Sequence, residues 1–498
     1  MIAARTEMDT GLAQVVEAPK TLLPRDTGGS PGDGAADRAA RPHPVQRLLA
    51  LAVAALLLVW PGFWNGYPLV FADTGTYLGQ ALQRYVGWDR PPFYSVFLLA
   101  THWRLTLWLP MLVQGLILAH LLGLTLRALG RPEPLALVLA ALGLALLTGL
   151  PWVAAQLIPD LFTGMLVLCL WLLGFRMTVL SVPERLWLLL LTTITVVVHQ
   201  SHLPLTLGLA LLGGAVLLVW RGWRPALSGM VRMAVPPLLA AVALVAVNLA
   251  GHGRAALSPY GAVFVATRLI YDGPGLAMLR QACPEAGYRI CPLLDRLSPW
   301  HNHFLWEPDG TLYGYLGGPK AWTPEANAII AETLRTAPLG VALALLGNTA
   351  EQLRMIDTGD GLEPWVGTPG PEPVIAQFFA HELPRFQSSR QHRGLLLQDA
   401  RTITPLYRTV DFLGLLALLA LPLLRRRLGI GLPGLALGLF VLAAALGNAA
   451  ITGGLSGPAH RYQARLAWLF AFTPAAVLAS SEVARAAVAS RRGAASGA

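Results

Sequence analysis

The residues able to do chemistry in this 498-residue chain stand at a few places beside long apolar runs. Asp73 lies in Phe71-Ala-Asp73-Thr74-Gly75-Thr76-Tyr77, just past the first such run. A carboxyl held at a bilayer interface loses solvation, which raises its pKa and suits a general base. The same segment also reads as a plain helix start, with Asp73 or Thr74 as N-cap of an interfacial helix reaching about Tyr85; the two readings are compatible. Further along come Asp89-Arg90-Pro91-Pro92-Phe93-Tyr94, Pro159-Asp160, His199-Gln-Ser-His202 and His460-Arg461-Tyr462. Arginine's planar fork fits phosphate oxygens bidentately, so Arg90 and Arg461 are candidate phosphate ligands. Snorkelling to the interface is the plainer role for Arg461.

His199 and His202 interrupt an apolar stretch, where ionisable groups usually face a cavity. They read either as further phosphate ligands or as interfacial histidines bonded to loop carbonyls. Tyr77, Tyr94 and Tyr462 flank these groups and are candidate pocket walls. Asp89 and Asp160 are the candidates for a second acid. A divalent metal is compatible with such acids, but no dense metal-ligand motif is present, so the metal stays open and no cofactor is assigned.

The elements that must position these residues follow from composition. The chain is 55% hydrophobic and 13% charged, with a mean hydropathy of +0.55. Soluble proteins carry about 25% charged residues, so this composition belongs to a lipid-embedded protein. A span needs roughly 20 apolar residues, and runs of about that length fall at 46–64, 105–127, 134–151, 157–180, 186–200, 203–220, 233–250, 409–424, 430–450 and 464–482. The expected fold is therefore an all-α polytopic membrane protein of about ten transmembrane helices.

The net charge of +10 does not mark a nucleic-acid binder, because the arginines are scattered at the ends of apolar runs. Arg41 and Arg47 precede the first helix, Arg127 and Arg131 follow the second run, and Arg176 and Arg185 follow the fourth. Arg221, Arg224 and Arg232 follow the sixth, Arg425, Arg426 and Arg427 the eighth, and Arg485, Arg491 and Arg492 the tenth. Basic exits from every even-numbered run place both termini in the cytoplasm.

Five units follow: a disordered cytoplasmic tail over 1–44; a membrane module over 45–250, with about seven helices and an outward loop at 65–104; a small outward insertion over 251–408; about three closing helices over 409–484; and a cytoplasmic tail from 485. The apolar stretch Leu339–Leu346 is too short to span and is expected to pack within the insertion or lie on the membrane. Cys283 and Cys291 fall in the insertion, where an oxidising compartment favours a disulfide over free or metal-bound thiols. Arg268, Asp272 and His301-Asn302-His303 read as solvated surface or as the acceptor side.

An outward acid after the first helix, a short interfacial helix, a basic-Pro-Pro-aromatic segment and a second interfacial helix resemble the GT-C superfamily of integral membrane glycosyltransferases. These include aminoarabinose transferases and protein O-mannosyltransferases. Asp73 matches the family's essential acid and Arg90-Pro91-Pro92-Phe93-Tyr94 its Pro-Pro segment. Pro159-Asp160 and His460-Arg461-Tyr462 are similar to elements at the fourth and last helices. Many relatives carry two adjacent acids where this chain has Asp73-Thr74.

The resemblance implies transfer of a sugar from a polyprenyl-phosphate donor to a lipid, polysaccharide or protein acceptor, at the periplasmic face of a bacterial inner membrane. Asp73 would be the base, and the partners would be the donor, the acceptor and membrane lipid, without nucleic acid. Two rivals stand beside it. A transporter or flippase of envelope precursors predicts ionisable residues near the bilayer midplane, and a non-catalytic assembly protein of the same fold predicts that Asp73 is dispensable.

Overall fold

Inside a bilayer a backbone must satisfy its own N–H and C=O groups, so apolar runs of this length fold as helices. In the computed structural model, which describes residues 43–366, 370–486 and 490, the chain is all-helical. Among those residues the nearest approach to a strand is an isolated bridge between Leu69 and Gln156. Nearly all of the tail expected over 1–44, and most of that expected from 485, lies outside the described residues.

Helix α1 (Pro44–Leu58) breaks at Val59 and resumes as α2 (Trp60–Asn65), with Pro61 in the first turn, where a missing N–H costs nothing. The first loop holds α3 (Ala72–Gln83) and α4 (Phe93–His102). Then come α5 (Trp108–Leu129), α6 (Pro134–Leu147), the short α7 (Leu150–Ala154) and α8 (Leu161–Trp171), which runs on through a π-turn and a 3-10 turn to Val179. Helices α9 (Val182–Val197), α10 (His202–Arg221) and α11 (Trp223–His252) complete this half. The second half has α12 (Gly261–Tyr271), α13 (Pro274–Ala282), α14 (His301–Trp306), α15 (Gly318–Thr336), α16 (Pro338–Arg354), α17 (Pro371–Phe378) and α18 (Leu383–Gln387). It closes with α19 (Leu396–Leu428), α20 (Leu432–Leu455) and α21 (Arg461–Ala479).

Each of the ten apolar runs lies on a helix, but fewer helices meet the length and apolarity of a span. Six do among the described residues: α5, α8 with its extension, α10, α11, α19 and α20. The number reaches eight if the bent pairs α12–α13 (87°) and α15–α16 (102°) each count as one span. The shortfall has local causes. Helices α1, α6 and α9 have 15, 14 and 16 residues, and α21 opens with Arg461, Gln463 and Arg465.

Every residue of α8 is buried, so this helix is the hub of the bundle and fixes Asp160 at its start. Glycines let the closing helices approach one another and the hub. A Cβ at Gly164 would meet the Trp468 ring at 2.8 Å, and one at Gly414 would sit 2.5 Å from the Phe470 carbonyl. The basic helix ends gather away from Asp160. Arg127 pairs with Glu184 at 2.7 Å, Arg131 donates to the Ala479 carbonyl at 2.8 Å, and Arg232 donates to that of Leu173 at 3.0 Å.

The stretch expected to be one insertion over 251–408 divides into three parts. Helices α12 to α15 enclose a separate core around Phe304, Trp322 and Ile290, within which Cys283 and Cys291 are disulfide-bonded with their Cα atoms 5.6 Å apart. Helix α16 leaves that core and lies along α20, where a Cβ at Gly453 would meet the Asn348 carbonyl at 2.7 Å. Leu339, Leu343 and Leu346 are exposed on its outer side, so the stretch flanks the bundle rather than packing in the insertion. Residues 355–395 fold back over the first loop. The Tyr67 hydroxyl donates to Glu382 at 2.7 Å, and the Gln391 side chain brackets Val70, accepting from its N–H at 3.1 Å and donating to its carbonyl at 2.7 Å.

Candidate functional site

The N-cap of α3 is Phe71, in extended conformation, so neither Asp73 nor Thr74 is the N-cap residue, and Thr74 helps cap the helix from its third position. The Thr74 hydroxyl accepts from the Phe71 N–H at 2.9 Å and donates to the Leu157 carbonyl at 3.1 Å. That leaves the Asp73 side chain in the first turn free for other partners, at the end of the helix dipole that favours an anion.

Those partners are arginines from both ends of the sequence. Asp73 Oδ1 is 2.8 Å from Arg90 Nη1, and Oδ2 is 3.6 Å from Arg461 Nη1. Arg90 also holds Asp89 at 2.8 Å, while Arg461 Nε lies 3.8 Å from Asp160. Asp160 in turn accepts from Arg465 Nη1 at 2.8 Å, and Arg465, fully buried, donates to Asn448 Oδ1 at 2.7 Å. Three carboxylates and three guanidiniums thus alternate in one network, Asp89–Arg90–Asp73–Arg461–Asp160–Arg465. The Arg461 guanidinium also lies over the Phe71 ring, 4.2 Å from its centroid. Its buried Nη1 makes no hydrogen bond.

The electrostatics correct the expectation of a raised Asp73 pKa. Burial works to raise it, but the facing Arg90 and Arg461 guanidiniums outweigh burial, and the carboxyl titrates below its ordinary range. Asp89 goes the other way: burial pushes its pKa up, and Arg90 offsets only part of the shift. Two acids on one arginine are thereby driven apart, as in sites that divide proton-holding roles between carboxyls.

The remaining candidates separate into wall, support and bystander. Tyr77 is buried beneath Arg90, whose guanidinium lies 5.4 Å from the ring centroid. Tyr94 is wholly buried behind it, edge-on to Tyr77 at 5.0 Å and donating to Gln114 at 2.5 Å, so it supports Tyr77 instead of lining a pocket. Tyr462 lies under Arg461 and Arg465 at 5.0 and 5.3 Å. His202 has both ring nitrogens engaged, Nε2 with the Thr163 hydroxyl at 2.7 Å and Nδ1 with the Thr195 carbonyl at 2.5 Å, which leaves none for a phosphate. His199, in the turn before α10, bonds the Ser201 hydroxyl at 2.8 Å. Its ring stacks on that of His202, 5.0 Å between centroids. Arg268 pairs with Asp272, which also accepts from Asn348 at 2.8 Å, so the pair ties α12 to α16.

Sequence reasoning missed Arg465 and the turn Asp357-Thr358-Gly359-Asp360-Gly361. Asp360 accepts from the Arg461 backbone N–H at 3.0 Å, and Asp357 pairs with Arg408 through its carboxylate while its backbone N–H donates to His460 Nδ1 at 3.0 Å. With Trp152, Asp160 and Arg461 the turn lines a cavity of about 20 Å³. The clustered Asp and Gly of that turn were a usable signal; Arg465, one turn into an apolar helix, was another. Among the described residues no group of three or more His, Cys, Asp or Glu side chains could hold a metal ion. No protein-family model, no curated protein and no solved structure matches this chain.

Proposed function

We propose that this chain is a GT-C-type membrane glycosyltransferase that uses a polyprenyl-phosphate-linked sugar. It crosses the bacterial inner membrane about ten times with both termini in the cytoplasm, and acts on a lipid, polysaccharide or protein acceptor at the outer face. The observation that carries this reading is the pairing of Asp73 with Arg90 and Arg461, which unites an acid and two phosphate-binding cations from distant parts of the sequence. In this reading the carrier phosphate takes the hydrogen bond that Arg461 Nη1 lacks and shares both guanidiniums with Asp73. Sharing weakens the hold that keeps the Asp73 pKa down, so donor binding makes the carboxylate a stronger base. The acceptor oxygen then attacks the anomeric carbon, its proton passes to Asp73, and the sugar–phosphate C–O bond breaks with its electron pair leaving on the phosphate. Arg90 and Arg461 stabilise that charge. Attack opposite the leaving group inverts the anomeric configuration.

The test is Asp73→Asn in cells, with lipid-linked sugars measured by mass spectrometry. The expected outcome is loss of transfer and accumulation of the donor at unchanged membrane abundance of the protein; transfer at the wild-type rate would sink the assignment of the base.

One observation favours a transporter reading instead. Asp411, midway along α19, is 3% exposed and its Oδ1 has no hydrogen-bond partner. Unpaired acids within spans mark ion and substrate pathways. That reading requires Asp411→Asn to abolish activity while Asp73→Asn preserves it, the reverse of the pattern expected of the transferase.

A further inference from the structure

Beside the ion-pair network stands an aromatic cluster that the network does not use. Trp88, directly before Asp89, stacks on Phe264 of α12 with ring centroids 5.2 Å apart and planes within 12°. Trp306, the last residue of α14, closes the group at 5.5 Å from Trp88 and 5.9 Å from Phe264. Tyr313 meets Trp88 through its hydroxyl. These rings come from two places, the first loop and the separate α12–α15 core. Trp306 is 38% and Tyr313 40% exposed. The cluster is continuous with the site, since the Arg90 guanidinium, which holds Asp73, lies 5.9 Å from the Trp306 centroid.

We propose that Trp306 and Tyr313 form a platform for the saccharide portion of the acceptor, which selects a glycan over an unglycosylated lipid or protein. The inference rests on the glycosyltransferase reading of the Asp73 site. A pyranose ring has an apolar face of C–H groups and a rim of hydroxyls. It is matched by aromatic faces that carry polar edges and sit among hydrogen-bonding groups. Trp306 and Tyr313 supply the faces, and the exposed Glu307 and Asp309, which follow Trp306 directly in sequence, supply hydroxyl partners. The acids distinguish this patch from an aromatic membrane belt, whose flanking charges are cations drawn to anionic lipid.

The test uses the full-length protein in nanodiscs, with saturation-transfer NMR to maltohexaose, cellohexaose, mannohexaose and chitohexaose. At least one should bind wild type and Asp73→Asn alike, because Trp306 and Tyr313, and not the base, carry the binding. Trp306→Ala and Tyr313→Ala should each weaken that binding about tenfold, while Trp306→Phe, which keeps a stacking face, should stay within about threefold of wild type. Trp306 lies outside the buried core of α12–α15, so its truncation is compatible with folding. Failure of all four sugars to bind, equal binding by Trp306→Ala, or quenching of Trp306 fluorescence by brominated phospholipid would each overturn the proposal. Binding with the expected losses, joined to undiminished activity of Asp73→Asn in cells, would keep the platform and remove the transferase reading instead.

Discussion

The buried pair Asp160–Arg465 makes a sharp stability prediction, because its two members are not equally replaceable. Their side chains are 5% and 0% exposed and their charged atoms 2.8 Å apart. Removing one partner of a buried pair leaves an uncompensated charge, at a cost of about 3–5 kcal/mol. Arg465→Met leaves Asp160 with Arg461 at 3.8 Å, so its cost falls at the low end of that range. Asp160→Asn leaves Arg465 with only neutral acceptors, Asn448 at 2.7 Å and Ser201 at 3.4 Å, and falls at the high end. At roughly 2 °C per kcal/mol for a chain of this size, Asp160→Asn should melt roughly 10 °C below wild type and Arg465→Met roughly 6 °C below. The assay is thermal unfolding of the purified protein in nanodiscs, followed by intrinsic fluorescence. The double substitution should recover part of the loss, since it removes both charges. The reasoning is refuted if Asp160→Asn melts within about 1 °C of wild type, or if Arg465→Met is the more damaging of the two.

Two further outcomes follow from packing and from charge. Gly414→Ala drives a methyl into the Phe470 backbone and should cost about 1–3 kcal/mol; Gly208→Ala on α10, which meets nothing within 4 Å, is the control, and equal melting temperatures would refute the close approach. Asp73 has a depressed folded pKa, so its ion pairs contribute stability above the ordinary carboxylate value of about 4 and lose it as pH falls through the lower folded value. The melting difference between wild type and Asp73→Asn should therefore stay constant from neutral pH down to about pH 4 and shrink only below it. A difference that already fades near pH 6 would mean a raised pKa.

Much of the fold was legible because apolar helices are written in local sequence. Every apolar run is helical, and the two short helices of the first loop are present at Ala72–Gln83 and Phe93–His102. What was not legible is long-range. Asp73 looked like a desolvated acid because its own neighbours are apolar, whereas Arg461 reaches it from the far end of the chain. His202 looked like a ligand because its pairing with Thr163 is invisible along the sequence. Residues 355–395 looked like part of one soluble domain because composition cannot say that Gln391 and Glu382 grip the first loop.

That grip sets a timetable for biogenesis. The loop bearing Asp73 is held by Glu382 and Gln391, and its carboxylate is completed by Arg461. Roughly 390 residues separate Asp73 from Arg461, so at about 5–20 residues per second the acid is made some 20–80 s before its last partner. During that interval the nascent chain carries half a site, with Arg90 as its sole cation, and ribosome stalling or truncation before Gln391 would strand it there. A fragment ending after the seventh apolar run should thus insert yet never lock its first loop, and protease sensitivity near Gly66 in such a fragment is where that delay becomes visible.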